Sequence, residues 1–186
     1  MTAPPRQRIV ESALELIADR GLGGVTMTAL ADAAGVARQT LYNHFPDLDA
    51  IVVAVLDQHG TAAVGQLRSL LEAVPDAAGK LEQIVLYRIA GASHGREIGL
   101  LSAALSKEAQ QLTAEHSDAE MDVIAAVIEA GVEDGSFRSD LDTASMTLVV
   151  QKMLDASGDL VRAGSSPAAA STILGEMIRS SLAPGR

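Results

Sequence analysis

The run RQTLYNHF, from Arg38 to Phe45, sets Arg38, Gln39, Thr40, Tyr42, Asn43 and His44 around two large apolar residues, Leu41 and Phe45. Guanidinium, amide, hydroxyl and imidazole groups in one short stretch donate to phosphate oxygens and exchange hydrogen bonds with base edges. Little else in the chain is arranged for chemistry. His44, His59, His94 and His116 lack ligand-pair spacing, and there is no Cys, so no metal centre is expected. GLGG at Gly21–Gly24 follows a helical pattern instead of joining a strand to a helix, which rules out a phosphate loop. HGREIG, beginning at His94, has no second His one turn along, and no Ser occupies a Gly-x-Ser-x-Gly elbow. Neither an enzyme nor a cofactor site is expected.

The totals set the frame for that stretch. A chain of 186 residues can bury one good core or a small domain beside a larger one. It is 48% hydrophobic with two Tyr, two Phe and no Trp, so its core must be aliphatic. The absence of Cys excludes disulfides and fits a reducing cytoplasm. No apolar run approaches the roughly 20 residues of a bilayer span. The opening MTAPPRQRIVES lacks the apolar run and small-residue cleavage site of a signal peptide. A soluble cytoplasmic protein is expected. The formal charge of −10 opposes indiscriminate binding to nucleic acid but leaves room for one local surface.

Helical periodicity runs throughout, with no period-two strand, and predicts an all-α protein of about nine helices. The first spans Pro5 to Arg20 with Ile9, Ala13, Leu16 and Ile17 on one stripe, ended by Gly21. Thr26 caps a short second helix carrying Leu30 and Ala31. Gly35 breaks it, and a third covers Ala37 to His44. After Pro46, Asp47 caps a long fourth helix to about Val74. A fifth carries Leu81, Ile84, Val85 and Ile89 until GASHG interrupts it, and a sixth carries Ile98, Leu101 and Leu105. A seventh begins at Ser117 or Asp118, an eighth is capped by Asp142, and a ninth carries Ile173, Leu174, Met177 and Ile178. The expected division is a three-helix domain over residues 1–46 and a larger helical domain over residues 47–186.

Two short helices joined by an Ala-Gly-Val turn have the form of a helix-turn-helix, whose second helix enters the major groove. Gly35 permits the positive φ that the turn demands. Leu30, Ala31, Val36 and Leu41 would pack inward and leave the polar row outside.

The surrounding sequence makes the pattern more specific. IVESALELIADRG, VTMTALADAAGV and TLYNHFPDLDAI, within Ile9 to Leu56, resemble the N-terminal domain of the TetR family of bacterial transcriptional regulators. The remainder resembles that family's helical ligand and dimerisation domain in layout only. The resemblance implies that Thr26 and Thr28 touch phosphate and that Arg38, Gln39 and Thr40 reach base edges. It implies that Tyr42 and His44 grip the backbone, with Asn43 serving either role. Three positions depart from the family pattern: Ala37 replaces a capping Ser, while Leu48 and Thr28 stand where basic residues are frequent.

Residues 1–50 hold four cations (Arg6, Arg8, Arg20, Arg38) against six acids (Glu11, Glu15, Asp19, Asp32, Asp47, Asp49). Arg6 and Arg8 are placed to reach flanking phosphates. With so few neutralised phosphates per subunit, affinity must come from two subunits on two half-sites, so a homodimer on a palindromic double-stranded operator is expected. Its recognition helices would lie about 34–36 Å apart or slightly more.

The last two helices carry small and aliphatic residues on more than one face, and a helix apolar on two faces must bury both. Met146, Val150, Met153, Leu174, Met177 and Ile178 are the expected dimer contacts. The middle helices would enclose a small hydrophobic effector, with Tyr87, Arg88 and His94 as its polar contacts. The family mechanism implied is a repressor that the effector releases from DNA by shifting the dimer between two geometries. The rival expectation is a helical ligand- or partner-binding dimer with a degenerate DNA-binding domain.

Overall fold

A computed structural model describes residues 3–94, 106–140 and 142–184, the side chains of Ser93 and His94 excepted. Among the described residues the protein is all-helical: α1 (Pro5–Arg20), a 3-10 turn (Leu22–Gly24), α2 (Met27–Ala33), α3 (Arg38–His44), α4 (Leu48–Glu72), α5 (Ala77–His94), α6 (Lys107–Glu133), α7 (Thr143–Arg162) and α8 (Pro167–Leu182). The helix expected around Ile98, Leu101 and Leu105 falls outside the described residues. No helix among the described residues is long and apolar enough to cross a membrane.

Helix boundaries follow local chemistry. Pro5 opens α1, and Gly21, at φ 68°, closes it by donating its N–H to the Ile17 carbonyl. Thr26 Oγ1 accepts from the Ala29 N–H at 3.2 Å and caps α2, while Asp47 accepts from Ala50 at 2.9 Å and caps α4. Gly35, at φ 60°, turns the chain between α2 and α3, and the Val36 N–H closes the corner on the Ala31 carbonyl at 3.0 Å. Asp142 and Ser166 cap α7 and α8 through the Ser145 and Ala169 N–H groups. That bond from Ser145 also holds the Asp142 carboxyl below its ordinary pKa.

Two helices differ from the sequence expectation. α5 continues through Gly91 and Ala92 to His94, since one helical glycine weakens a helix without ending it. α6 begins at Lys107, about a third of its length before Ser117, because Ser106 Oγ caps it through the Ala109 N–H and no Gly or Pro intervenes.

Two compact units form. The first draws its described residues from Met1–Ala62 and Gly95–His116, the second from Ala63–His94 and Ser117–Arg186. Ile9, Ala13 and Ile17 of α1, Leu30 of α2, Leu41 of α3, Ile51 and Val55 of α4 and Ala109 of α6 make the first core. The second joins Leu67, Leu81, Ile84, Ile89, Ile124, Ile128, Val150, Leu154, Leu174 and Ile178, with α5, α7 and α8 packed on one another. The boundary between the two compact units falls within α4 and within α6, because the first turns of α4 complete the core under α1 to α3.

Within the first unit, the His116 ring lies flat over Gly60 of α4, where a Cβ would overlap its Nδ1 and Cγ, and its Nε2 is 4.0 Å from Asp57 Oδ1. A Cβ on Gly65 of the same helix would meet nothing within 4 Å. Gly60→Ala is expected to lower stability by about 1–3 kcal/mol through overpacking. Gly65→Ala should raise it by about 0.5–1 kcal/mol through helix propensity. Denaturant midpoints at unchanged slope read both, and equal shifts for the two variants would refute the seat.

Candidate nucleic-acid interface

α3 has seven residues, too few to persist alone, and its two apolar side chains fix it. Leu41 is fully buried and Phe45, its C-cap, nearly so; both belong to the core of the first unit. With those two turned inward, Arg38, Gln39, Tyr42, Asn43 and His44 are exposed and Thr40 is half-buried. The six polar residues read from the sequence are thus presented together by one helix. Gln39 Nε2 donates to Asn43 Oδ1 at 3.0 Å, which aligns the two amides and leaves Gln39 Oε1 and Asn43 Nδ2 for an outside partner. Ala37 occupies the N-cap with no side-chain bond to the helix. Its terminal N–H groups remain open to an external acceptor.

Thr26 and Thr28 are exposed at the start of α2. Because Thr26 Oγ1 already accepts a capping bond, its hydroxyl has its proton left to donate. α1 brings two arginines to the same motif. The Arg6 guanidinium sits 5.3 Å from the centre of the Phe45 ring, and Arg8 Nη1 lies 3.9 Å from where a Cβ on Gly35 would stand. Arg8 Nε is buried with no hydrogen-bond partner.

The expected effector residues have different surroundings. The Tyr87 hydroxyl donates to the Ala63 carbonyl at 2.9 Å, and burial pushes the phenol pKa up, with Glu120 adding and Arg88 opposing. Arg88 has both ends occupied: Nη1 bonds Glu120 at 2.8 Å and Nη2 bonds Asp155 at 2.8 Å, tying α5 to α6 and α7. It clamps the three helices together. The His94 side chain lies outside the described residues. Sequence reasoning missed Glu120, Asp155 and the buried Gln151, whose Oε1 has no partner. Arg88 and its two carboxylates are 32 and 67 residues apart, and no local pattern links them. Elsewhere in the second unit a groove of about 410 Å³ is floored by Leu71, Val123 and Val127 and rimmed by Arg68, Lys80, Glu72 and Asp122.

The expected dimer residues are largely covered by their own chain. Met146, Val150, Leu174 and Ile178 are 4%, 0%, 2% and 0% exposed, and Met153 is half-buried against the same core. Met177 is open at 52%, together with Leu148, Val149 and Ile173 at 50%, 47% and 44%. Both faces of α7 and α8 are apolar, so periodicity finds the two faces without saying which one the monomer uses. The free set is Leu148, Val149, Ile173 and Met177.

A buried-anchor helix with a polar outer row, set behind a Gly turn and two capped neighbours, defines a helix-turn-helix DNA-binding regulator. The family model for bacterial regulatory proteins of the tetR family matches residues 9–55. Over 162 residues the chain is 32% identical to the HTH-type transcriptional repressor KstR2 of Rhodococcus jostii (strain RHA1), covering 76% of this chain and 77% of that protein. It is 26% identical over 145 residues to KstR2 of Mycolicibacterium smegmatis, covering 75% and 71%. The chain belongs to the TetR family of bacterial transcriptional regulators, whose members are not enzymes. Its fold matches a protein from Saccharomonospora viridis described as a transcriptional regulator and solved in complex with choline, at TM-score 0.86 and 24% identity over 97% and 98% of the two chains. It also matches the regulator FadR of Bacillus subtilis in complex with stearoyl-CoA, at TM-score 0.78 and 17% identity over 95% and 98%.

The clamp gives a stability test. Arg88→Met leaves Glu120 half-buried and unpaired, while Asp155 keeps Lys152 at 3.1 Å. A loss of about 2–3 kcal/mol is expected, less than for a fully buried pair because water reaches the site. Adding Glu120→Leu to Arg88→Met should recover much of that loss in the denaturation midpoint; an additive loss would show that the pair is not coupled.

Proposed function

We propose that the protein is a repressor that binds a palindromic operator as a homodimer in the cytoplasm and is released by a small hydrophobic effector. The observation that carries this reading is the exposed row Arg38, Gln39, Tyr42, Asn43 and His44 on a helix anchored by Leu41 and Phe45. Residues 1–46 supply the DNA-reading surface, and residues 47–186 supply effector binding and dimerisation. Arg38, Gln39 and Thr40 read base edges from the N-terminal half of α3. Tyr42, His44, Thr26 and Thr28 hold phosphates, and the Gln39–Asn43 amide pair serves a base or a phosphate.

Dimerisation is supported by the apolar set Leu148, Val149, Ile173 and Met177, left open on two adjacent helices. Two subunits double a grip that one subunit makes weakly. The effector reading is supported by solved TetR-like folds holding choline or stearoyl-CoA and by the groove with the Leu71, Val123 and Val127 floor. Its volume of about 410 Å³ lies within the ordinary range for small-molecule sites. Whatever fills it releases DNA only in proportion to its preference for the DNA-incompetent dimer.

Selection from random duplex DNA at low salt should enrich a palindrome, with half-sites about one helical turn apart. Arg38→Ala and Tyr42→Phe should each weaken its binding by about 1–3 kcal/mol. A selection that enriches no palindrome would favour the helical dimer with a degenerate DNA-binding domain. Unchanged affinity in both variants would refute the docking of α3.

Joint replacement of Leu148 and Met177 by Glu should give a folded monomer in sedimentation, with operator affinity lost in parallel. A dimer persisting through both changes would move the interface elsewhere.

A further inference from the structure

Arg68, Leu71 and Glu72 share one face of α4 at i, i+3 and i+4, and Asp122, Val123, Ala126 and Val127 share one face of α6. Both stretches set charge directly beside aliphatic side chains. With Lys80 of α5 they border the groove of about 410 Å³ in the second unit. Its floor is the edge of the core, since Leu71, Val123 and Val127 are buried members of that cluster. Ala126 is exposed beside the floor, and its small side chain leaves the groove open.

The charges on this rim differ from the others in the second unit. Arg88 is engaged by Glu120 and Asp155, and Arg138 by Asp140. Arg68, Glu72, Lys80 and Asp122 enter no ion pair among the described residues, although they border one groove. Two cations and two carboxylates make a rim of no net charge. A ligand head of one sign is attracted by two of these groups and opposed by the other two. A neutral head leaves all four to water. A head that carries both signs can satisfy acids and bases together, while an apolar body covers the floor.

We propose that the groove takes an amphipathic zwitterion, with its aliphatic body over Leu71, Val123 and Val127. Its cationic group faces Glu72 and Asp122, and its anionic group faces Arg68 and Lys80. This rests on the reading of the groove as the effector site and adds the ligand's chemical class. Burial of the body supplies most of the affinity, and the exposed rim contacts choose among heads.

The test is calorimetric binding of four eight-carbon probes to the full-length protein: octanoate, octylammonium, octanol and the betaine N-octyl-N,N-dimethylglycine. In about 50 mM salt the betaine should bind about five- to ten-fold tighter than each of the others, as two or three exposed ion pairs would give. In about 500 mM salt that preference should collapse while the affinity owed to the body remains. Joint Arg68→Gln and Lys80→Gln should move the preference towards octylammonium, and joint Glu72→Gln and Asp122→Asn towards octanoate. Ala126→Leu, at an exposed position, should block all four probes without lowering the melting point.

Equal affinity for betaine and octanol, or a ranking that neither charge variant moves, would overturn the zwitterion and leave the groove an apolar effector site. Betaine binding untouched by Ala126→Leu, or no binding of any probe at millimolar concentration, would overturn it equally. Operator affinity of the betaine-loaded protein separates the two readings. Tight betaine binding blocked by Ala126→Leu, with operator affinity unchanged, would uphold the ligand class and remove the groove's effector role.

Discussion

Burial of Leu41 and Phe45 is the constraint on which the rest of the first unit depends. A helix of seven residues has no independent stability in water, so α3 exists because two side chains one turn apart enter a core made by α1, α2 and the start of α4. Their direction decides which residues face out. Arg38, Gln39, Tyr42, Asn43 and His44 are exposed by exclusion, on the part of the helix that the anchors leave free. The Gly35 turn and the Thr26 cap then matter because they fix where that helix begins relative to α2.

This arrangement also accounts for the modest charge of the DNA-reading unit. Hydroxyl, amide and imidazole groups recognise hydrogen-bonding pattern and position, and they gain nothing from a strong long-range field. A net charge of −10 opposes non-specific association with the DNA backbone, since like charges repel. The unit's cations are few. α1 brings two of them to the motif, Arg6 over the Phe45 ring and Arg8 beside the Gly35 turn.

Those parts of the molecule that local chemistry dictates were legible in the sequence. Pro5 and Gly21 bound α1, Gly35 marks the turn, and Thr26, Asp47 and Asp142 cap the helices they precede. The polar face of α3 follows from the same short-range logic. Legibility failed where the answer lay far along the chain. The ion pairs of Arg88 are not readable from the sequence, because Glu120 and Asp155 reach it from two other helices. That Met146, Val150, Leu174 and Ile178 are buried within their own chain is not readable from the sequence, because an apolar stripe does not state whether it meets its own chain or another. The beginning of α6 was missed because Ser106 and Ala109 act through a cap and a buried contact, not through periodicity.

The sharing of α4 and α6 between the two cores bears on modularity. Ile51, Val52 and Val55 lie beyond Pro46, and Ala109 lies much further on, yet all four sit in the core that supports α3. The reading head is therefore not a cassette that can be cut out at the end of its third helix and grafted onto another regulator. A chimera joined at Pro46 would inherit the contact residues and discard the floor on which they stand. A portable head must carry the first turns of α4 with it, and must find in its new host a substitute for Ala109.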